Sequence, residues 1–309
     1  MKKVLVTGAA GTIGINVIKY LLSEGKYEIT AIDLKNRGNY KRLKRYRRRV
    51  NLVYGDVSDP SLMENIIKDV DYCIHLAGIT LPIGNINQKL TYEVDYKGTE
   101  NIVRMIDFYN PNCHLLFASS ASVYGKQDKD EVSVTTKPNL EPTDYYSSSK
   151  LEAEEIIKRK LNNYSIYRLP VVLTNITKEN FIYSYNPSSK IEVVTDLDAA
   201  YMFVRALDKI DKVNKKTFNV GGGENSRTTG KKLNEELLKV FGYTKKYIDN
   251  KLFIDKNFYS YYFKDSDKLE EILTFRNDSI SSYLMRIKRK VKNRAIQKMI
   301  AKLFMKKEK

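Results

Sequence analysis

Residues 2–14 read KKVLVTGAAGTIG. A short run of β-branched and leucine side chains ends in glycines at Gly8, Gly11 and Gly14. Such a run makes a buried strand, and the glycines make a tight turn. The residues that follow, TIGINVIKYLLSEG, put Ile13, Val17, Leu21 and Leu22 on one side of a helix, and Gly25 supplies its stop. Strand, glycine turn and helix in this order aim backbone N–H groups from a helix start at a ligand. Glycine lets a pyrophosphate come close to them. Gly8, Gly11, Thr12, Ile13 and Gly14 are therefore candidate cofactor-binding residues. Asp33 stands nineteen residues after Gly14, at the end of the next strand, YEITAID. A carboxylate there accepts hydrogen bonds from an adenosine ribose and repels a 2′-phosphate. That predicts NAD over NADP, with Lys35 and Arg37 nearby as opposing charges.

Outward from the turn, strand and helix keep alternating. VNLVYGD, VDYCIHLAG, HLLFASS and YSIYRLPVV are apolar throughout, and PSLMENIIKDV, GTENIVRMIDFY and SSKLEAEEIIKRKLNN are helical between them. Strands without polar alternation lie in a parallel sheet covered on both faces. The expected fold is α/β, a Rossmann-type doubly wound parallel sheet over residues 1–172, to which segments of 190–222 return. Residues 173–283 form a smaller, shortened substrate domain, and 284–309 a basic amphipathic helix.

The chain has 309 residues, 42% of them apolar, enough for a real core. No stretch approaches the roughly 18 apolar residues of a membrane span. The apolar run after the two opening lysines is too short for a signal peptide and reads as a strand. Cys73 and Cys113 sit inside apolar runs, which suits two buried thiols in a reducing cytoplasm. Two histidines and two cysteines, all apart in sequence, give no metal site. The net charge is +17. Residues 41–49, KRLKRYRRR, and the segment from Arg286 to Lys309 account for all of it. These patches lack interleaved stacking aromatics beyond Tyr46 and Phe304, so no nucleic-acid partner is expected.

Residues 143–150, TDYYSSSK, open a long helix. Tyr146 and Lys150 are four apart and share a face, whereas Tyr145 would meet Ser149. A phenol titrates near ~10. A nearby ammonium favours the phenolate and makes Tyr146 a usable base.

With its GxxGxxG spacing, GDVSD (55–59), HLAG (75–78), SSASVYG (119–125) and the Tyr146–Lys150 pair, the chain resembles the extended short-chain dehydrogenase/reductase family, the NAD-dependent sugar epimerases and dehydratases. The resemblance runs from residue 1 to about 273. It implies that Asp56 and Val57 flank the adenine and that Leu76, Ala77 and Gly78 lie beside the pyrophosphate and ribose, with His75 a packed strand residue. It implies that Tyr146 takes the hydroxyl proton, that Lys150 also holds the nicotinamide ribose, and that Ser120, five residues before Gly125, holds the substrate oxygen. The family usually has Asn where this chain has Asp95, so Asp95 is given no catalytic role.

Its 4,6-dehydratases carry Asp and Glu at the positions of Ala121 and Ser122, which turns the expectation against dehydration. C4 epimerisation, or oxidation or reduction at one carbon, is left. Arg168 and Pro170 fit the family pattern, but the following Gly-Pro is missing. No arginine enters IEVV or LFIDKNFYSYYFKD, where nucleotide-sugar epimerases often hold the diphosphate.

The expected protein is a cytoplasmic NAD-dependent epimerase or dehydrogenase of a sugar hydroxyl, nucleotide-linked. A ketoreductase of the same fold or a non-catalytic NAD-binding scaffold are the rivals. Family resemblance also implies a homodimer pairing GTENIVRMIDFY with the Tyr146 helix, lined by Ile102, Ile106, Leu151 and Ile156. In 284–309 an apolar stripe of Leu284, Ile287, Val291, Ala295, Met299, Leu303 and Phe304 runs among cations. It would lie in an anionic membrane surface, or else dock on its own domain.

Overall fold

Seven strands pair side by side, every pair parallel, in the computed structural model of the chain. The structure describes residues 1–81, 83–174, 188–240 and 260–290. The strands are β1 (Lys2–Thr7), β2 (Tyr27–Asp33), β3 (Asn51–Tyr54), β4 (Tyr72–His75), β5 (His114–Ser120), β6 (Glu131–Val132), β7 (Tyr164–Leu169), β8 (Val171–Leu173), β9 (Lys190–Thr195), β10 (Lys216–Asn219), β11 (Arg227–Thr229) and β12 (Tyr262–Phe263). The large sheet runs β10-β7-β5-β4-β1-β2-β3. Strand order reverses between β1 and β4, and a doubly wound sheet opens its ligand crevice beyond the carboxyl ends of the strands at that point.

Both faces of the sheet are covered, because its strands are apolar on both sides. On one face Val4, Val6 and Ile29 meet Val17, Ile18 and Leu21 of the helix Thr12–Glu24 and Met202 and Phe203 of the helix Asp196–Leu207. On the other, Leu5, Cys73 and Phe117 meet Met63 and Ile67, then Ile102, Val103 and Ile106, then Ala153, Ile156 and Ile157. This corrects the expected dimer seam. Ile102, Ile106 and Ile156 are buried inside the chain, where their helices face the sheet, and cannot line a contact with a second copy.

YSIYRLPVV is not one strand. It breaks at Pro170, which has no N–H for a sheet ladder. β7 stays in the large sheet, and β8 passes into a three-stranded sheet of order β11-β9-β8. Within 190–222, β10 closes the edge of the large sheet while β9 lies in the small one. β6 pairs with β12.

The helices Gly230–Val240 and Ile280–Lys290 pack on the small sheet through Leu233, Leu237, Ile280, Tyr283 and Ile287, with Leu284 partly buried beside them. Leu284 and Ile287 of the expected membrane stripe are thus committed to the protein's own core. Val291, Ala295, Met299, Leu303 and Phe304 lie outside the described residues. Among the described residues no helix is long and apolar enough to cross a membrane.

Candidate active site

The glycine turn sits where strand order reverses. Gly8 has φ +62, a conformation that side chains disfavour. A Cβ on it would come within 2.7 Å of the Leu76 carbonyl and the Ala77 nitrogen. The turn therefore presses against the end of β4. Gly14 is equally closed, since its Cβ would run into the backbone of Gly8 and Ala9. Gly11 N–H donates to the Gly8 carbonyl at 2.9 Å and begins the helix. No side chain caps that start and no acid stands in its first turn, so the N–H groups at Thr12 and Ile13 remain for an anion.

Asp33, ending β2, is locked against this turn. Its Oδ2 accepts the Ala10 N–H at 2.8 Å, and its Oδ1 accepts Leu34 N–H and Asn39 Nδ2, each at 2.8 Å. Lys35 and Arg37 are exposed. Gly55 N–H donates to the Asp33 carbonyl at 3.0 Å, which ties GDVSD to the same place. There Asp56 shapes its own turn by accepting Ser58 N–H and Oγ at 2.9 Å. Val57 is buried, and its carbonyl takes the Asn101 amide at 2.8 Å. These closely approached glycines, an uncapped helix start and a fixed acid fit a dinucleotide.

β4 ends in His75, which bridges Thr7 Oγ1 (2.7 Å) and Thr99 Oγ1 (3.0 Å). Burial, and secondarily the charge of Lys150, lowers it to about 3, so it is a neutral packing residue. Leu76 and Ala77 N–H both donate to Thr7 Oγ1 at 3.2 Å. Gly78 is wedged between two charges. A Cβ there would meet Asp95 Oδ1 at 2.6 Å and Lys150 Nζ at 2.9 Å.

The structure brings Ser120, Tyr146 and Lys150 together. Asp144 caps the helix Tyr145–Lys160 by accepting Ser147 N–H at 3.1 Å, and Asn85 Oδ1 accepts Tyr146 N–H at 3.0 Å. Tyr146, Lys150 and Glu154 then follow at four-residue steps along one buried face. Lys150 Nζ donates to the Ala118 carbonyl of β5 at 3.3 Å and lies 6.0 Å from the Tyr146 ring centroid. Ser120 ends β5, and its Oγ accepts from Ser122 N–H (3.2 Å) and Ser122 Oγ (2.8 Å). Tyr145 is only partly buried. Burial raises the Tyr146 phenol well above its usual range. The Asp95 charge adds to the rise, and the hydrogen bond with Ser120 opposes it.

Sequence reasoning missed Asn85 and the grip of Ser122 on Ser120. It missed Asp144 as well, although an Asp directly before a helix is an ordinary N-cap.

The model of a family described as the NAD dependent epimerase/dehydratase family matches residues 4–221. The chain belongs to this family. Among curated proteins it is 24% identical over 266 residues to a CDP-paratose 2-epimerase of Salmonella typhi, covering 71% of this chain and 79% of that one. It is 32% identical over 168 residues to UDP-glucose 4-epimerase 2 of Arabidopsis thaliana, covering 51% of this chain and 47% of that one. It spans about half the length of several such relatives. Among solved structures it resembles a UDP-glucuronic acid 4-epimerase of Bacillus cereus, TM-score 0.76 at 18% identity over 94% of this chain and 99% of that one. It resembles equally a dTDP-glucose 4,6-dehydratase of Bacillus anthracis, TM-score 0.76 at 20% identity over 94% and 96%.

The small domain places two cations near β9. Both are arginines, and both are held by the protein itself. Arg227 on β11 donates from Nε to the buried Glu192 at 3.0 Å, and Arg276 donates from Nε to the Gly221 carbonyl at 2.8 Å. Glu192 also accepts Ser266 Oγ at 2.8 Å and Phe263 N–H at 3.1 Å.

Proposed function

We propose that this family member is an NAD-dependent epimerase or dehydrogenase that works at one hydroxyl carbon of a nucleotide-sugar. The observation that carries this is the convergence of Ser120, Tyr146 and Lys150 beyond the sheet's switch point. Gly8, Gly11, Gly14 and Asp33 would hold the dinucleotide, and Lys150 its nicotinamide ribose. Bound NAD supplies the hydride acceptor. Tyr146 removes the hydroxyl proton, Lys150 favours its phenolate, and the Ser120 hydroxyl holds the substrate oxygen as charge develops. Ser122, donating to Ser120, fixes where that hydroxyl lies.

Epimerisation or oxidation is preferred to dehydration for a chemical reason. Ala121 has no proton to give, and the Ser122 hydroxyl is engaged with Ser120. Neither supplies the acid and base that water removal needs. The relatives named for CDP-paratose and UDP-sugars support a nucleotide-sugar substrate. A ketoreductase with exchangeable cofactor is the second reading. It is favoured by the engagement of Arg227 with Glu192 instead of a free place for a diphosphate. The two separate when purified protein is denatured and its small molecules identified, then assayed with nucleotide-sugars by NMR. Retained NAD and an inverted sugar support the epimerase. Empty protein that consumes added reduced cofactor supports the ketoreductase.

A homodimer through the helices Gly98–Tyr109 and Tyr145–Lys160 remains the proposed assembly, with a different seam. Arg104, Phe108, Glu152 and Glu155 are exposed there, Phe108 by 78%. Two buried free thiols support a cytoplasmic setting. Peripheral contact with an anionic membrane rests on the cations of 284–309 and on the stripe beyond Ile287.

A further inference from the structure

Asp95 is a buried acid to which the catalytic scheme gives no task. It lies within the π-helical turn Tyr92–Lys97, fully buried. Its Oδ1 accepts the Ile79 N–H at 2.8 Å and stands 3.7 Å from Lys150 Nζ. Its Oδ2 is buried with no hydrogen-bond partner among the described residues. Its carbonyl accepts Thr99 Oγ1 at 2.6 Å.

An amide would keep the Ile79 bond through the same oxygen. The backbone therefore does not call for an acid here, and an unpartnered buried oxygen costs free energy. What the acid adds is a negative charge beside Lys150. Burial raises its carboxyl, while the Lys150 ammonium and the Ile79 N–H pull it back. The other charged groups around it are few. Glu93 and Lys97 share its turn, Lys97 being paired with Glu100 at 2.8 Å. Asp144 stands at the start of the Tyr146 helix, and His75 on β4 is neutral.

A lone ammonium beside a phenol would favour the phenolate. With Asp95 as its neighbour, much of that influence is cancelled. We propose that Asp95 is the counter-ion of Lys150, and that it makes ionisation of Tyr146 depend on the oxidised, positively charged nicotinamide. The inference rests on the proposed NAD-dependent reading of the site. Lys150 and Asp95 cancel in the free protein, and Tyr146 keeps its proton. An added positive charge on the cofactor is then the one left unbalanced, and Tyr146 releases its proton to solvent. When that charge is lost on reduction, Tyr146 holds a proton again, the one taken from the substrate hydroxyl. Asp95 thus acts through Lys150 as a positioning residue and need touch no substrate.

The test is calorimetric titration of the whole protein with NAD+ and with NADH, in buffers of different ionisation enthalpy, from about pH 6 to pH 10, a range bracketing perturbed phenol values. Wild type should release a proton on binding NAD+ and none on binding NADH. In Asp95→Asn the pH of maximal release should fall by about one unit, a tenfold change in proton affinity worth about 1.4 kcal/mol. The preference for NAD+ over NADH should fall about tenfold with it. Tyr146→Phe should release no proton with either form. Equal release with both forms in wild type overturns the inference, whatever the variant does. So does an Asp95→Asn profile that coincides with wild type. Protein that binds neither form overturns the NAD reading itself and this inference with it.

Discussion

Arg168 grips Glu154 with two charge-assisted hydrogen bonds, Nε to Oε1 at 2.9 Å and Nη2 to Oε2 at 2.8 Å. Both side chains are buried, and Ser119 Oγ donates to the same carboxylate at 2.6 Å. Glu154 follows Lys150 by one turn on the helix Tyr145–Lys160, and Arg168 belongs to β7. The pair therefore pins the helix that carries Tyr146 to the sheet that carries Ser120. Arg168→Met would leave the buried carboxylate with only the part-exposed Lys158, at 3.1 Å, for a cation, and should destabilise the fold by up to about 3 kcal/mol. Urea unfolding measures this. A midpoint like that of wild type would show that the pair does not hold the helix.

Asp33 is the predicted arbiter between the two cofactors. Asp33→Asn removes the charge at nearly constant size; its amide oxygen can still accept from neighbouring N–H groups, but its amide nitrogen cannot replace the second accepting oxygen. NAD should bind about tenfold more weakly, as expected for loss of a hydrogen bond worth about 1.5 kcal/mol to a charged group. NADP should bind better than to wild type, with Lys35 and Arg37 no longer opposed. Fluorescence titration of both cofactors checks it. Unchanged affinities would move the ribose site elsewhere.

His75 and His114 are both buried, and burial lowers them to about 3 and about 4 from the usual 6.5. A depressed folded value means that the unfolded chain binds protons first. Their stabilisation is present above pH 6.5 and is lost as the pH falls toward 4. Each can contribute up to about 1.4 kcal/mol per pH unit in that window. Asp198, raised by burial to about 6, works the other way and gains stability on acidification. His114→Asn should therefore show a shallower loss of stability between pH 6.5 and 4 than wild type. A parallel pH dependence in denaturant unfolding would contradict this.

Phe108, at the end of the helix Gly98–Tyr109, is exposed by 78%. In the proposed dimer it is covered by the second copy, so Phe108→Asp should give a monomer where wild type gives a dimer. Sedimentation velocity at micromolar concentration decides. Monomeric wild type would remove the proposed seam.

The glycine turn, Asp33 and the Tyr146–Lys150 pair could be read from the sequence because each is a local pattern at fixed spacing. The dimer residues could not. Ile102, Ile106 and Ile156 form apolar stripes, and a stripe does not say whether it faces its own sheet or another molecule. For Leu284 and Ile287 the stripe left two readings open for the same reason, and the structure packs them on their own domain. Pro170 was visible, but not that the chain changes sheets there. Asp95 stood out as a departure from the family. Its approach to Lys150 depends on a π-helical turn meeting another helix across the end of β4, which no local pattern encodes.

The central claim is that Tyr146 moves the substrate proton while the hydride goes to bound NAD. Full-length protein loaded with NAD can be mixed with CDP-, UDP- and dTDP-linked sugars while the absorbance of reduced nicotinamide is followed. Wild type should show that band with at least one sugar. Tyr146→Phe, which removes one hydroxyl, should keep its NAD and lose the band by a factor of at least about a hundred, the usual size of a general-base contribution. Tyr145→Phe should behave as wild type. An undiminished band in Tyr146→Phe, or no band in wild type with any of these sugars, would contradict the account.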